Sequence, residues 1–531
     1  MTAMFATPKT EGVNQITTVP APIGGLNARD SLAAMPEGDA VVLTNWWPQP
    51  YGVSVRKGYQ EWSTGLDGEV KTLGTWSGIT GAQHFLAWAG TKLYDVSARG
   101  PVGVPLLTGL TNAVWQLTGF TNAAGGHLLA VNGVDDGICY DESGLHRLVL
   151  GDGLTAYTWK GLDPKNAIQL TTHQHRVWAT ELNSAIGWYL PPDAIYGEMQ
   201  PFDFGPLFWR GGYLAFLATW TMDDGNGAED HLVAVSSTGL AAVYAGIDPA
   251  AAETWKLVGV YNVGAPTKGR RAYVKVAGDL YILSQQGIVS MAGLLVSTKV
   301  NQQVAAFKSD KIQYLMSDLI STYADIEGWQ LNYVPKYNML ICNVPTGVYQ
   351  GNLQLAANQI TEAWCQFSGM DAACWNTFGE SPFFGDYNGR VMIAWEGNLD
   401  NVKLDGTGGD SITAECQQAY SYFKALGSQK QVGLYRPNFI VSAPISYNSY
   451  IYYDFEVAIP LAPDGIPSAG GSIWNTAIWN NGSWYGGANP QRGWNMAQGM
   501  GVAASVAIGL RANADVLWVS TDYSLQVGGI L

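Results

Sequence analysis

Charge is scarce in this sequence: only 13% of its 531 residues are Asp, Glu, Lys or Arg. Basic side chains are the scarcer kind, 28 against 43 acidic ones, and no basic run exceeds Arg270-Arg271. A net charge of −15 with no basic stripe excludes a protein that grips nucleic acid through its phosphates. Long apolar runs are also lacking. The longest, Tyr213–Met222 and Val502–Leu510, reach about ten residues where a membrane span needs about twenty. Met1 to Pro22 carries Lys9 and Glu11 and no continuous apolar stretch, so no secretory signal and no membrane span are expected. The five cysteines, Cys139, Cys342, Cys365, Cys374 and Cys416, are scattered and never spaced C-x-x-C. That excludes a disulfide framework and a zinc knuckle and leaves buried thiols as the expectation. The signatures G-x-S-x-G, G-x-x-x-x-G-K-[ST], H-E-x-x-H and G-x-G-x-x-G do not occur, nor does the S-x-D-x-G-x-x-W box of sialidase-like propellers. No catalytic residue, cofactor or metal ligand set is assigned, and the chain is read as a non-enzyme.

Glycine (64), tryptophan (21), tyrosine (27) and a 47% apolar fraction are what the sequence has in abundance. This profile fits many short strands joined by glycine turns. A hairpin pattern, an apolar run followed by a turn and a second apolar run, starts at His84, His127, His175, His231, Asp279, Asn338 and Arg390. Its 43- to 59-residue intervals match a four-stranded propeller blade. Turn glycines are expected at Gly90, Gly133, Gly239, Gly287 and Gly397, because glycine alone takes positive φ without steric cost. A lone blade cannot bury both faces, whereas blades packed radially bury nearly everything. The expected fold is therefore mainly β: a propeller of six or seven blades over 71–409, with a β-sandwich-like C-terminal domain over 410–531. An extended N-terminal arm (1–22) and a further segment (23–70) precede them.

One helix is predicted, Lys311–Asp325, with Asp310 as N-cap and Ile312, Leu315, Met316, Leu319, Ile320 and Tyr323 on one face. In the C-terminal domain, strands are expected in Ser411–Phe423, Pro437–Ser442, Tyr450–Val457, Val502–Ala512 and Asp515–Ser520. The intervening tryptophan-glycine stretch runs from Ile473 to Gly487; its Trp474, Trp479 and Trp484, with Trp494, could pack in a core or stack on sugars. His173 and His175 would share a face of a strand, as two metal ligands do, but no third ligand is visible. His84, His127, His175 and His231 head repeats, which points to a structural hydrogen bond in each blade. The acidic loop Asp223–Asp230 lacks the spacing of the helix-loop-helix calcium motif. It reads as a solvated loop or as charge at a channel mouth.

Two stretches carry a resemblance to a known family. Gly24 to Tyr59 resembles the opening of the tail nozzle (tubular tail) proteins of short-tailed bacteriophages, in Gly24-Gly25-Leu26-Asn27, Arg29-Asp30-Ser31, Asp39-Ala40, Asn45-Trp46 with Pro48, and Arg56-Lys57-Gly58-Tyr59. Arg436-Pro437, the Ile473–Gly487 region and Trp518 to Tyr523 through Gly528-Gly529 are similar to the end of the same family. The resemblance implies a homo-hexameric ring in the virion tail, assembled in the host cytoplasm below the portal and its adaptor. It would contact fibres or spikes, its terminal segments lying together as a platform. Double-stranded DNA would leave through the ring without tight binding: six copies at −15 carry about −90, which repels phosphate. Asp223, Asp224, Glu229 and Asp230 are the candidate channel or gate residues. The competing readings are a carbohydrate-binding propeller, a lectin for a host surface, and a tail glycosidase using paired carboxylates.

Overall fold

The computed structural model describes residues 15–223, 228–296, 307–347, 352–464 and 488–530. The protein is mainly β, with 54% strand and 6% helix. It divides into two compact units: one comprises Met1–Arg56, Ile360–Gln366 and Ser411–Leu531, the other Lys57–Gln359 and Phe367–Asp410.

The larger unit is a propeller arrangement with five blades, each built on an antiparallel meander of three or four strands. Blade one is Val70–Ser77, Gln83–Ala89 and Lys92–Asp95. Blade two is Gln116–Asn122, Gly125–Val131, Gly137–Asp141 and Gly144–Leu150, with two short parallel strands added at its edge. Ala167–His173, Arg176–Glu181, Ile186–Tyr189 and Gln200–Asp203 form blade three. Leu214–Asp223, Ala228–Ser236, Leu240–Ala245 and Lys256–Asn262 form blade four. Blade five is Tyr273–Val276, Asp279–Ser284 and Gly287–Ser290.

The count of five differs from the six or seven that the hairpins suggest, because the last two hairpins enter sheets of another make. Gln330–Val334 pairs with Met339–Val344, which pairs with Leu353–Asn358. Ala372–Phe378, Ser381–Asp386 and Arg390–Ala394 are joined by Tyr59–Thr64, drawn from before the first blade. That strand, which falls within the 23–70 segment expected to precede the propeller, belongs to the propeller unit. The innermost strand of this sheet, Ala372–Phe378, packs beside Val70–Ser77 of blade one.

Strand alternation explains how the blades adhere. Residues i and i+2 face the same side, so each blade offers an apolar layer to both neighbours. Trp76, Leu86 and Trp88 of blade one meet Leu128, Ala130 and Ile138 of blade two. From the other face of blade two, Leu129, Val131 and Cys139 meet Leu170, Val177 and Ala179 of blade three. Fully burying one such side chain is worth about 1.5–3 kcal/mol, so these shared layers dominate the stability of the unit. The five expected turn glycines all have positive φ, from +55° to +114°. At Gly239 a Cβ would lie 2.2 Å from the Gly264 carbonyl carbon, so the turn excludes any larger residue.

The predicted helix begins as a 3-10 turn, Asp310–Ile312, and continues as an α-helix, Gln313–Tyr323. Asp310 therefore lies inside the first turn. Ile312, Met316, Leu319 and Ile320 are its buried face.

In the smaller unit, Gln15–Pro20 is no free arm: it pairs antiparallel with Val516–Ile530, which pairs in turn with Ser428–Val441. Asp39–Thr44 pairs with Asp410–Gln418, followed by Ala504–Ala512 and Ser446–Tyr453. The Tyr435 hydroxyl donates to the Ser449 carbonyl at 2.6 Å, linking the two sheets. The stretch from Ile473 to Gly487 lies outside the described residues. No helix among the described residues is long and apolar enough to cross a membrane.

Candidate functional site

The acidic candidates sit on the hairpin between the first two strands of blade four, where Asp223 pairs with Ala228. Asp224 lies outside the described residues. Glu229 is exposed, and the Asp230 carboxylate accepts from the Thr221 hydroxyl, which also receives the Lys275 ammonium of blade five. This end of blade four is thus tied to its neighbour.

His173 and His175 do not share a strand face. The chain reverses between them, with Gln174 and His175 both at positive φ, and His173 pairs with Arg176 across the turn. His173 is buried, its Nδ1 3.3 Å from the Thr219 hydroxyl, and burial pushes its pKa down to about 4. His175 is exposed, 3.5 Å from the Asp193 carboxylate. Three of the four repeat-heading histidines make a hydrogen bond within their blade: His84 to Asp95 at 2.8 Å, His127 to Asn122 at 3.0 Å and His231 to the Glu229 carbonyl at 3.2 Å.

Sequence reasoning missed the centre of the propeller. Arg271, at the entry to blade five, donates across it to the Lys71 carbonyl of blade one at 2.9 Å, to the Thr72 hydroxyl at 2.5 Å and to the Trp115 carbonyl at 2.8 Å. Gln169 of blade three donates to the Leu217 carbonyl at 2.9 Å and to the Tyr273 hydroxyl at 2.8 Å, and accepts from the Leu217 amide at 3.1 Å. These hydrogen bonds join the inner strands of separate blades. A charged donor with three fixed acceptors is a structural bolt, and its only sequence signal is the isolated Arg270-Arg271 pair.

A second polar cluster occupies one end of blade two. The register pairs Leu129 with Cys139 and Cys139 with His146, which puts His127, Cys139, Asp141 and His146 on one face. Asp141, 7% exposed, accepts from the Tyr157 hydroxyl at 2.7 Å and from the Ser143 amide and hydroxyl at 2.8 and 2.7 Å. Burial would raise its pKa, but those donors together hold it below the usual carboxylate range. Burial and the Asp141 charge push Tyr157 up to about 12. The His146 and Tyr157 rings stack 4.1 Å apart, and His146 Nε2 lies 3.4 Å from Asp141. Ser143, Tyr157, Asp193 and Tyr196 line an adjoining cavity.

No family model matches the chain, and no curated protein matches it. Solved propellers are similar to it at low identity. They include BBS1N, solved in complex with ARL6DN, at 10% identity and TM-score 0.39, covering 64% of this chain and 98% of that one. The computationally designed Ika8 protein has 9% identity and TM-score 0.36, covering 64% and 100%. The β-propeller domain of Cps50 (Swd1) from Myceliophteria thermophila has 11% identity and TM-score 0.36, covering 63% and 99%.

Proposed function

We propose that this chain is a non-catalytic structural subunit of the tail nozzle of a short-tailed bacteriophage, six copies forming the ring through which DNA leaves. The observation that carries the reading is the work done by the motif residues of the two terminal stretches. The Arg56 guanidinium donates to Asn45 at 2.8 Å, and the ring of Trp46 lies 5.9 Å from that of Trp518. Asn27 donates to Asp39 at 2.8 Å and to Asp30 at 2.9 Å. Asp522 receives Arg436 at 2.7 Å and the Thr18 hydroxyl at 2.7 Å. The motifs from both ends thus lock one β-unit together, as a platform built from the two termini requires.

In this reading the duplex passes through the bore of the six-copy ring. It does not use the propeller's own centre, where Arg271 and Gln169 hydrogen-bond from blade to blade. The net charge of −15 keeps the wall repulsive, so packaged DNA is held by a steric plug and not by affinity. Asp223, Glu229 and Asp230 of blade four, together with Asp224, which lies outside the described residues, are the proposed gate. A ring needs a heterologous interface that closes. Coexpression with the portal and adaptor of the same phage, followed by native mass spectrometry, should give six copies per adaptor ring. A chain that stays monomeric beside the assembled adaptor would refute the proposal.

The carbohydrate-binding alternative needs exposed aromatic faces. Trp46, Trp88, Trp115, Trp159, Trp178, Trp220, Trp329, Trp364 and Trp518 are all fully buried. Trp494, 42% exposed, is covered on one face by the Arg436 guanidinium at 4.6 Å. Most of the described tryptophans therefore pack, and Trp209, 66% exposed, is the position left for sugar stacking among them.

A further inference from the structure

We propose that His127, Cys139 and Asp141 of blade two form a binding site for a borderline-soft divalent cation of the zinc class. Their ligand atoms, one imidazole nitrogen, one sulfur and one carboxylate oxygen, all lie within 4.8 Å of one another, and all three residues are buried.

The hydrogen bonds fix the histidine's role. Asn122 Nδ2 donates to the Asp193 carbonyl at 2.9 Å, so its Oδ1 is the atom that faces His127 and accepts from the Ala124 amide at 2.9 Å. An amide oxygen only accepts, so His127 Nε2, 3.0 Å away, carries the proton. Nδ1 then presents a lone pair. His127 is 6% exposed, and its Nδ1 has no hydrogen-bond partner and lies 3.8 Å from Asp141 Oδ2. A lone pair aimed at a carboxylate with no proton between them is repulsive, and a cation placed between the two reverses the sign.

The surrounding groups act as an outer shell does. Asn122 orients the imidazole, while Tyr157 and Ser143 orient the carboxylate. Nitrogen, sulfur and oxygen together select zinc over calcium or magnesium, which take oxygen. Zinc bonds of about 2.0–2.3 Å put tetrahedral ligand atoms about 3.3–3.8 Å apart, so the three converge by about 1 Å on binding. His127 and Asp141 also line the cavity bounded by Ser143, Tyr157 and Tyr196, which gives a water access to a fourth position. A cysteine thiol at neutral pH is protonated before binding. The ion replaces that proton: a zinc–sulfur bond forms, the sulfur–hydrogen bond breaks, and one proton leaves to solvent per ion bound.

The full-length chain, stripped with a chelator, can be titrated with Zn²⁺ in weak buffer and separately loaded with Co²⁺. The expected results are one zinc retained per chain, about one proton released per zinc at neutral pH, and a thiolate-to-cobalt charge-transfer band. His127→Ala and Cys139→Ser should each weaken zinc binding at least tenfold and remove the cobalt band, while Cys342→Ser, another buried thiol, leaves both intact. Should those variants fail to fold, proton release and the cobalt spectrum of the unaltered chain decide. No retained zinc, no proton release, a cobalt spectrum without the thiolate band, or unchanged binding in the folded variants would overturn the site.

Discussion

Single side chains fix the propeller at points that pattern reading does not reach. Arg271 is legible only as one of two adjacent basic residues, yet it serves three acceptors in two other blades. Arg271→Met should destabilise the protein by about 2 kcal/mol in denaturant unfolding, since it leaves the Lys71 and Trp115 carbonyls without their charged donor. His173 was legible as a histidine but not as a buried one, because the reversal at Gln174 and His175 has no glycine to announce it. Its folded pKa, about 4, lies below the ordinary 6.5, so between those values the unfolded chain binds a proton that the folded chain refuses. Stability contributed by this group is complete above pH 6.5 and is lost as pH falls towards 4, by up to about 3 kcal/mol. His173→Gln should flatten that acid limb when unfolding free energy is measured against pH, and an unchanged slope would assign the limb to other groups.

At the scale of strands and helices, hairpins were readable because both halves are close in sequence and carry a two-residue period. All five expected turn glycines adopt positive φ, and the helix presents its expected buried face one turn after a 3-10 start. The closing sheet was not readable. Tyr59–Thr64 pairs with Arg390–Ala394 more than 300 residues later, and no local periodicity records a partner at that distance. The same long reach explains why the hairpins from Asn338 and Arg390 do not repeat the make of the first five blades. Arg390 holds this junction: it donates to Asp386 at 2.7 Å, to Glu61 at 3.1 Å and to Asn401 at 2.9 Å. Arg390→Ala leaves two little-exposed carboxylates facing each other and should cost about 3 kcal/mol. Amide hydrogen exchange should then quicken first in Tyr59–Thr64, and exchange that quickens uniformly would show that this strand is not the weak seam. In blade two the cation site was missed for a related reason: His127 and Asp141 are fourteen positions apart and meet only through hairpin register.

For the whole molecule, composition carried the mainly β fold, through glycine and aromatics, and the acidic balance leads to the expectation of weak affinity for DNA. The purified chain should not retard duplex DNA in a gel even at low salt, where phosphate binding is strongest; retardation that disappears at higher salt would reveal a basic face hidden by the net charge. The division into two units was partly legible, since the change of character near Asp410 coincides with the unit boundary at Ser411, whereas Ile360–Gln366 joins the smaller unit from within the repeat region. The reading of the chain as a tail nozzle rests on terminal motifs whose side chains hold two distant segments together. Cryo-electron microscopy of the intact phage particle tests it most directly. Six copies around an acidic bore, each with Arg271 bridging the inner strands of its propeller, are expected; a tail ring made of another protein, or DNA threaded through the propeller itself, would contradict it.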